Sequence, residues 1–127
     1  MNLSDSATYL GKKYGNDKYE IFKSSDIFVF PTHYHNECFP LVLLEAMMFG
    51  LPVISTNEGG IPDIVKNGET GFIVDKQNPE KLAEKIKHLI DNPEKVSLMG
   101  EKGREYFIEK YTLEVFERRM VHILNQI

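Results

Sequence analysis

Residues 41–49, LVLLEAMMF, read as a helix that is apolar on every side, and a helix of that kind must be buried. Pro40 suits its first position, where a missing N–H costs nothing, and Gly50-Leu51-Pro52 ends it. Glu45 is its only charge. An unpaired carboxylate in such a place costs roughly several kcal/mol, so Glu45 requires a partner. Glu37 lies just ahead of the helix, close to the free N–H groups of Leu41, Val42 and Leu43 and to the positive end of the helix dipole. A phosphate fits that end. Two readings of these residues stand side by side. In one, an acid flanks an anion site and a second acid sits in the same helix. In the other, a buried helix merely ties its glutamate to a backbone donor.

The rest of the chain narrows the class. Its 127 residues allow at most one domain with a core of its own. Fifteen basic against nineteen acidic residues, net charge −4, give no nucleic-acid footprint. The single Cys38 excludes an internal disulfide. MNLSDSATYL lacks the basic start and apolar stretch of a signal peptide, and no run approaches the ~18 apolar residues of a membrane span. The default is a soluble cytoplasmic protein.

Ala7 to Leu10 is a short apolar run readable as a strand, and Asn16 or Asp17 is placed to cap a short helix through Phe22. Lys12 and Lys13 read as a solvated pair. Ile27-Phe28-Val29-Phe30, stopped by Pro31, has the continuous apolar character of a strand buried on both faces. His33 and His35 follow it and share a side if the segment is extended. With no third ligand beside them, a zinc site is a weak reading; a hydrogen bond to a polar ligand and a plain loop remain open. Val53 to Thr56 and Phe72 to Val74 are further strands, the first followed by Gly59-Gly60, which either lets backbone approach a ligand or makes a turn. Asn78-Pro79, Asn92-Pro93 and Thr112 open three C-terminal helices. Their stripes, Leu82, Ala83, Ile86, Leu89 and Ile90, then Val96, Met99, Gly103, Tyr106 and Phe107, then Leu113, Phe116, Met120, Ile123 and Ile127, are expected in the core.

Strand, helix, strand, helix, with strands too apolar to face water, is a parallel α/β arrangement. Ligands in such sheets bind beyond the carboxyl ends of the strands, where both glutamates and the glycine pair are expected to converge on one crevice.

Glu37 and Glu45 with seven residues between them, then Ala46-Met47, Gly50-Leu51-Pro52-Val53-Ile54, Gly59-Gly60-Ile61-Pro62-Asp63 and Gly68-Glu69-Thr70-Gly71-Phe72, form a combined pattern. It resembles the donor-binding domain of family 4 retaining glycosyltransferases, the group 1 enzymes of GT-B architecture. The similarity runs from about Tyr9 to the last helix. It implies a Rossmann-like parallel sheet, partial at about four strands, with three C-terminal helices, spanning residues 1–127 as one incomplete nucleotide-sugar-binding domain. The resemblance assigns Glu37 to hydroxyls of the donor sugar near the transferred carbon, as the catalytic-site acid. It gives the amides of Phe39, Leu41 and Val42 the sugar and diphosphate, and Glu45 the ribose hydroxyls. Gly59 and Gly60 would line the crevice, with His35, beside His33, at its edge. The implied chemistry is hexosyl transfer from a UDP-sugar or GDP-sugar to an acceptor hydroxyl, with retention, no cofactor and no metal. Polysaccharide assembly is the usual setting, in the cytoplasm or peripherally at the membrane.

The pattern lacks an acceptor domain and the first two strand–helix units of the donor domain, with the basic residues they carry. The isolated chain is therefore expected not to turn over. In a sheet ordered 3-2-1-4-5-6 the Ala7 strand would be an outer one, so either it moves against the Ile27 strand or an apolar edge stays open and invites self-association. A non-catalytic binding module is the alternative. A hydrolase using Glu37 and Glu45 is a third reading, since glycosidases hold two carboxylates roughly 5–10 Å apart, but one acid buried mid-helix and the other at its start, flanking an anion site, suit nucleotide binding better.

Overall fold

The computed structural model describes residues 5–127. Three parallel strands, β1 (Phe28–Phe30), β2 (Val53–Thr56) and β3 (Gly71–Val74), form a sheet ordered β1-β2-β3. Phe28 pairs with Val53, and Val53 with Gly71. Helices α1 (Gly15–Lys23), α2 (Leu41–Met48), α3 (Ile61–Ile64), α4 (Pro79–Ile90), α5 (Pro93–Lys110) and α6 (Leu113–Leu124) surround it. This is the α/β class expected from the alternation of elements.

Strand periodicity divides the core in two. Val53 points with Leu43, Ala46 and Met47 of α2 and Ile61 and Ile64 of α3, and Phe28 and Phe30 pack against that cluster. Ile54, Phe72 and Val74 face the other way, onto Leu89 of α4 and Met99 of α5. All four residues of β2 are buried because it has a strand on each edge and helices on both faces.

Two chain reversals set the position of α2. Pro40 is the N-cap, one place earlier than expected, with extended backbone. At the other end Gly50 has φ +71°, where a side chain is strained. The Gly50 amide donates to Met47 O at 2.9 Å and the Leu51 amide to Ala46 O at 3.0 Å, a Schellman stop that turns the chain directly into β2. The Asn78 Oδ1 accepts from Lys81 N at 3.0 Å and the Thr112 Oγ1 from Val115 N at 3.3 Å, as their sequence positions require. Asn92 stands at the N-cap of α5 without bonding it; its Nδ2 donates instead to His88 O. The first helix begins at Gly15, ahead of Asn16 and Asp17, with no side-chain cap.

Four expectations are corrected. Ala7 to Leu10 forms no strand, so the sheet has three strands among the described residues and not about four. Tyr9 is 93% exposed; so short a run gains nothing as a strand without a neighbour to pair with. The β1 outer edge consequently stays open, and β1 is half-buried throughout and not fully buried. In α2 only Leu43, Ala46 and Met47 are fully enclosed, while Leu41 is 65% exposed, because neighbours cover only part of the helix. The C-terminal stripes depart furthest: in α4 Ala83 and Ile90 face solvent and Leu89 buries, and at α6 Leu113, Phe116, Met120, Ile123 and Ile127 are exposed and Val115 is the residue that buries. No described helix lies over α6 to cover them, whatever its periodicity. Among the described residues no helix is long and apolar enough to cross a membrane.

Candidate functional site

The segment between β1 and α2 is tied at several points to the end of β2. Ser55 Oγ donates to Phe30 O at 2.7 Å and Thr56 Oγ1 to Thr32 O at 2.6 Å, so both buried hydroxyls of β2 hold the chain leaving β1. The Glu37 amide donates to Tyr34 O at 2.9 Å, and the Gly60 amide to Cys38 O at 2.6 Å. A Cβ at Gly59 would lie 1.8 Å from Glu37 O, and one at Gly60 2.7 Å from Cys38 O. The glycine pair is thus accounted for by backbone meeting backbone: it seats the Glu37 segment. Glu37 and the glycines do come together, as the sequence indicated.

That seating leaves the start of α2 free. The amides of Phe39, Leu41 and Val42 have no protein acceptor among the described residues, whereas the Leu43 amide is taken by Pro40 O at 3.1 Å. Leu41 and Val42 are the first two helix residues, and their N–H groups point out of the helix end with the dipole behind them. Glu37 is half-buried, and its carboxylate makes no ion pair among the described residues.

Glu45 has found a partner, but not a backbone donor. Lys18 Nζ of α1 lies 2.6 Å from its Oε2, with side chains 32% and 25% exposed. The contact is an ion pair and not an aligned hydrogen bond: Oε2 is buried without a hydrogen-bond partner of good geometry. The carboxylate against it holds the Lys18 ammonium above its ordinary range. Lys12 and Lys13, the basic pair ahead of α1, are exposed.

The histidines separate from the acids. His33 lines a cleft of about 190 Å³ at the carboxyl ends of the strands, with Thr56, Asp75 and Asn78. His35 and Tyr34 border a neighbouring depression, their rings 5.8 Å apart. Neither glutamate lines that cleft. The expected single crevice is therefore two adjoining features, the strand-end cleft and the α2 terminus. Among the described residues no group of three His, Cys, Asp or Glu side chains is placed to hold a metal.

Sequence reasoning passed over three contributors. Lys18 gave no local signal, since its partner is in another element. Glu58, beside the glycines, is 8% exposed and bonds Lys76 Nζ at 2.9 Å; a charge directly before Gly59 was its visible sign. Tyr111 packs its ring 6.0 Å from that of Phe39.

The model of the family "Glycosyl transferases group 1" matches residues 1–106. The chain belongs to the group 1 glycosyltransferases. Among curated members, the capsular polysaccharide biosynthesis glycosyltransferase CapM of Staphylococcus aureus is 36% identical over 113 residues, covering 89% of this chain and 29% of CapM. Among solved structures, sucrose-phosphate synthase from Thermosynechococcus elongatus superposes with TM-score 0.86 at 30% identity, over 98% of this chain and 31% of that one. Anabaena HepE, solved in complex with UDP and glucose, gives TM-score 0.88 over 98% of this chain and 33% of its own, at 21% identity, which speaks for the fold. This group 1 chain thus spans under a third of CapM, and its likeness to GT-B enzymes lies in that portion.

Proposed function

We propose that residues 1–127 are a partial donor-binding domain of a retaining sugar transferase that takes a UDP-sugar or GDP-sugar. The observation that carries this reading is the start of α2: amides at Leu41 and Val42 without a protein acceptor, and Glu37 without an ion pair just before them, among the described residues. Phosphate oxygens of the donor accept from those amides and from Phe39, in the field of the helix dipole. Glu37 accepts from hydroxyls of the sugar near the carbon to be transferred, and Glu45 from the ribose hydroxyls. His35 borders the sugar side, and Gly59 and Gly60 hold Glu37 in place. Neither metal nor cofactor is needed where amides meet the diphosphate charge. Transfer additionally needs an acceptor hydroxyl held in line, so the isolated chain binds donor without turning it over. The setting is cytoplasmic or peripheral to a membrane, and the open β1 edge pairs with a second copy when no other strand covers it.

Calorimetric titration with UDP and with GDP tests the reading. One of the two gives saturable heat, and Glu45→Ala weakens that binding by at least about tenfold, as expected from losing a hydrogen bond to a charged group. No heat from either nucleotide defeats the proposal.

A further inference from the structure

Lys18 has no place in the motif pattern, yet the fold delivers it to the one charged group of α2. Helix α1 is fastened over the end of α2 by aromatic contacts. Phe22, 6% exposed, stacks on Phe49 at 5.5 Å with an interplanar angle of 4°, and Tyr19 meets the same Phe49 ring at 5.4 Å. Both rings sit within one turn of Lys18 along α1, which therefore has little freedom to carry the ammonium away. Its Nζ stands 2.6 Å from Glu45 Oε2, and Oε2 is fully enclosed. One oxygen of the carboxylate is thereby occupied. Oε1 has no protein donor among the described residues and is left as the acceptor.

We infer that Lys18 is a positioning residue for the nucleoside: by holding Oε2, it fixes the Glu45 rotamer with Oε1 turned to the ribose hydroxyls. The inference rests on the reading in which Glu45 meets the ribose, and it adds a residue from another element to that contact. A free glutamate side chain samples several rotamers, and ordering one on binding costs affinity that a preset carboxylate does not lose. The carboxylate offers only acceptors, which is what a diol with two O–H donors needs. The strength of the pair is a secondary matter, since both side chains are partly solvated.

The experiment compares UDP and GDP with their 2′,3′-dideoxy counterparts on the wild type, Lys18→Met, Lys18→Arg and Glu45→Ala. The whole chain is used, and each variant is first shown to keep the wild-type circular dichroism; Lys18→Gln replaces Lys18→Met if the latter does not fold. The expected result is that Lys18→Met loses at least about tenfold in affinity for the ribonucleotide. It binds the dideoxy analogue as the wild type does, and Lys18→Arg restores most of the difference. Lys18→Met binding the ribonucleotide like wild type overturns the inference, and so does an equal loss for both sugars, which would put Lys18 on the phosphates, the base or the packing. Should Glu45→Ala alone be without effect, the parent reading fails and takes this one with it. Should Glu45→Ala act and Lys18→Met not, only the role of Lys18 falls.

Discussion

Tyr111 sits where the last two helices meet the segment before α2, its ring 5.7 Å from Tyr106 and 6.0 Å from Phe39. Its hydroxyl donates to Asp63 O at 3.4 Å. Burial, followed by the neighbouring Tyr106, pushes the phenol up from 10.0 to about 12. The folded chain therefore holds this proton more tightly than the unfolded chain. Stability from this group is complete below pH 10 and falls as the pH rises towards 12, because ionised Tyr111 suits only the unfolded state. An absorbance titration of tyrosinate should show one late-ionising group that Tyr111→Phe removes, and the alkaline decline in denaturation midpoint should flatten in the same variant. Two carboxylates show how far single residues could be read. Glu45 was visible as a charge that needed a partner, since an isolated acid among Leu, Met and Ala is costly. That the partner is Lys18 was not visible, because the pairing spans α1 and α2 and no spacing rule links them.

Among the helices, α2 and α5 pack most closely, and the contact depends on bare backbone. A Cβ on Gly100 of α5 would lie 1.9 Å from Gly50 O, at the turn that ends α2. The obstructing atom is a carbonyl fixed by the Schellman turn, so it cannot step aside as a side chain would. Gly100→Ala should therefore cost about 1–3 kcal/mol, in the range of overpacked cores, although alanine favours a helix more than glycine does. Urea denaturation followed by circular dichroism measures it, and a midpoint equal to or above wild type would show that α5 does not press on this turn. The element order from α2 to α6 was legible in the sequence, from prolines and caps at helix starts and from apolar runs too short for anything but strands. The short α3 was not, since four residues carry no periodicity. Nor was the absence of a strand at Ala7 to Leu10, because a strand exists only with something to pair against.

At the scale of the molecule, two surfaces are apolar without cover among the described residues. The outer edge of β1 carries Phe28, Val29 and Phe30, with no gatekeeping charge within the strand. The face of α6 carries Leu113, Phe116 and Met120 at 70%, 59% and 40% exposure. Sedimentation equilibrium should show the apparent mass rising with protein concentration, and a monodisperse monomer at the highest concentration would refute self-pairing.

The amino-acid sequence by itself determined the α/β class, the bounds of most elements, the family and the proximity of Glu37 to a helix start. These depend on local steric rules and on a motif whose residues are close along the chain. Only the tertiary structure decided that Lys18 meets Glu45, that Gly59 and Gly60 serve the Glu37 segment, that His33 lines a cleft which neither glutamate lines, and that the α6 stripe faces solvent. Each of these is a contact between segments far apart in sequence, or the lack of one. Periodicity reports which face of a helix is apolar, but whether anything lies against that face depends on where the other elements stop.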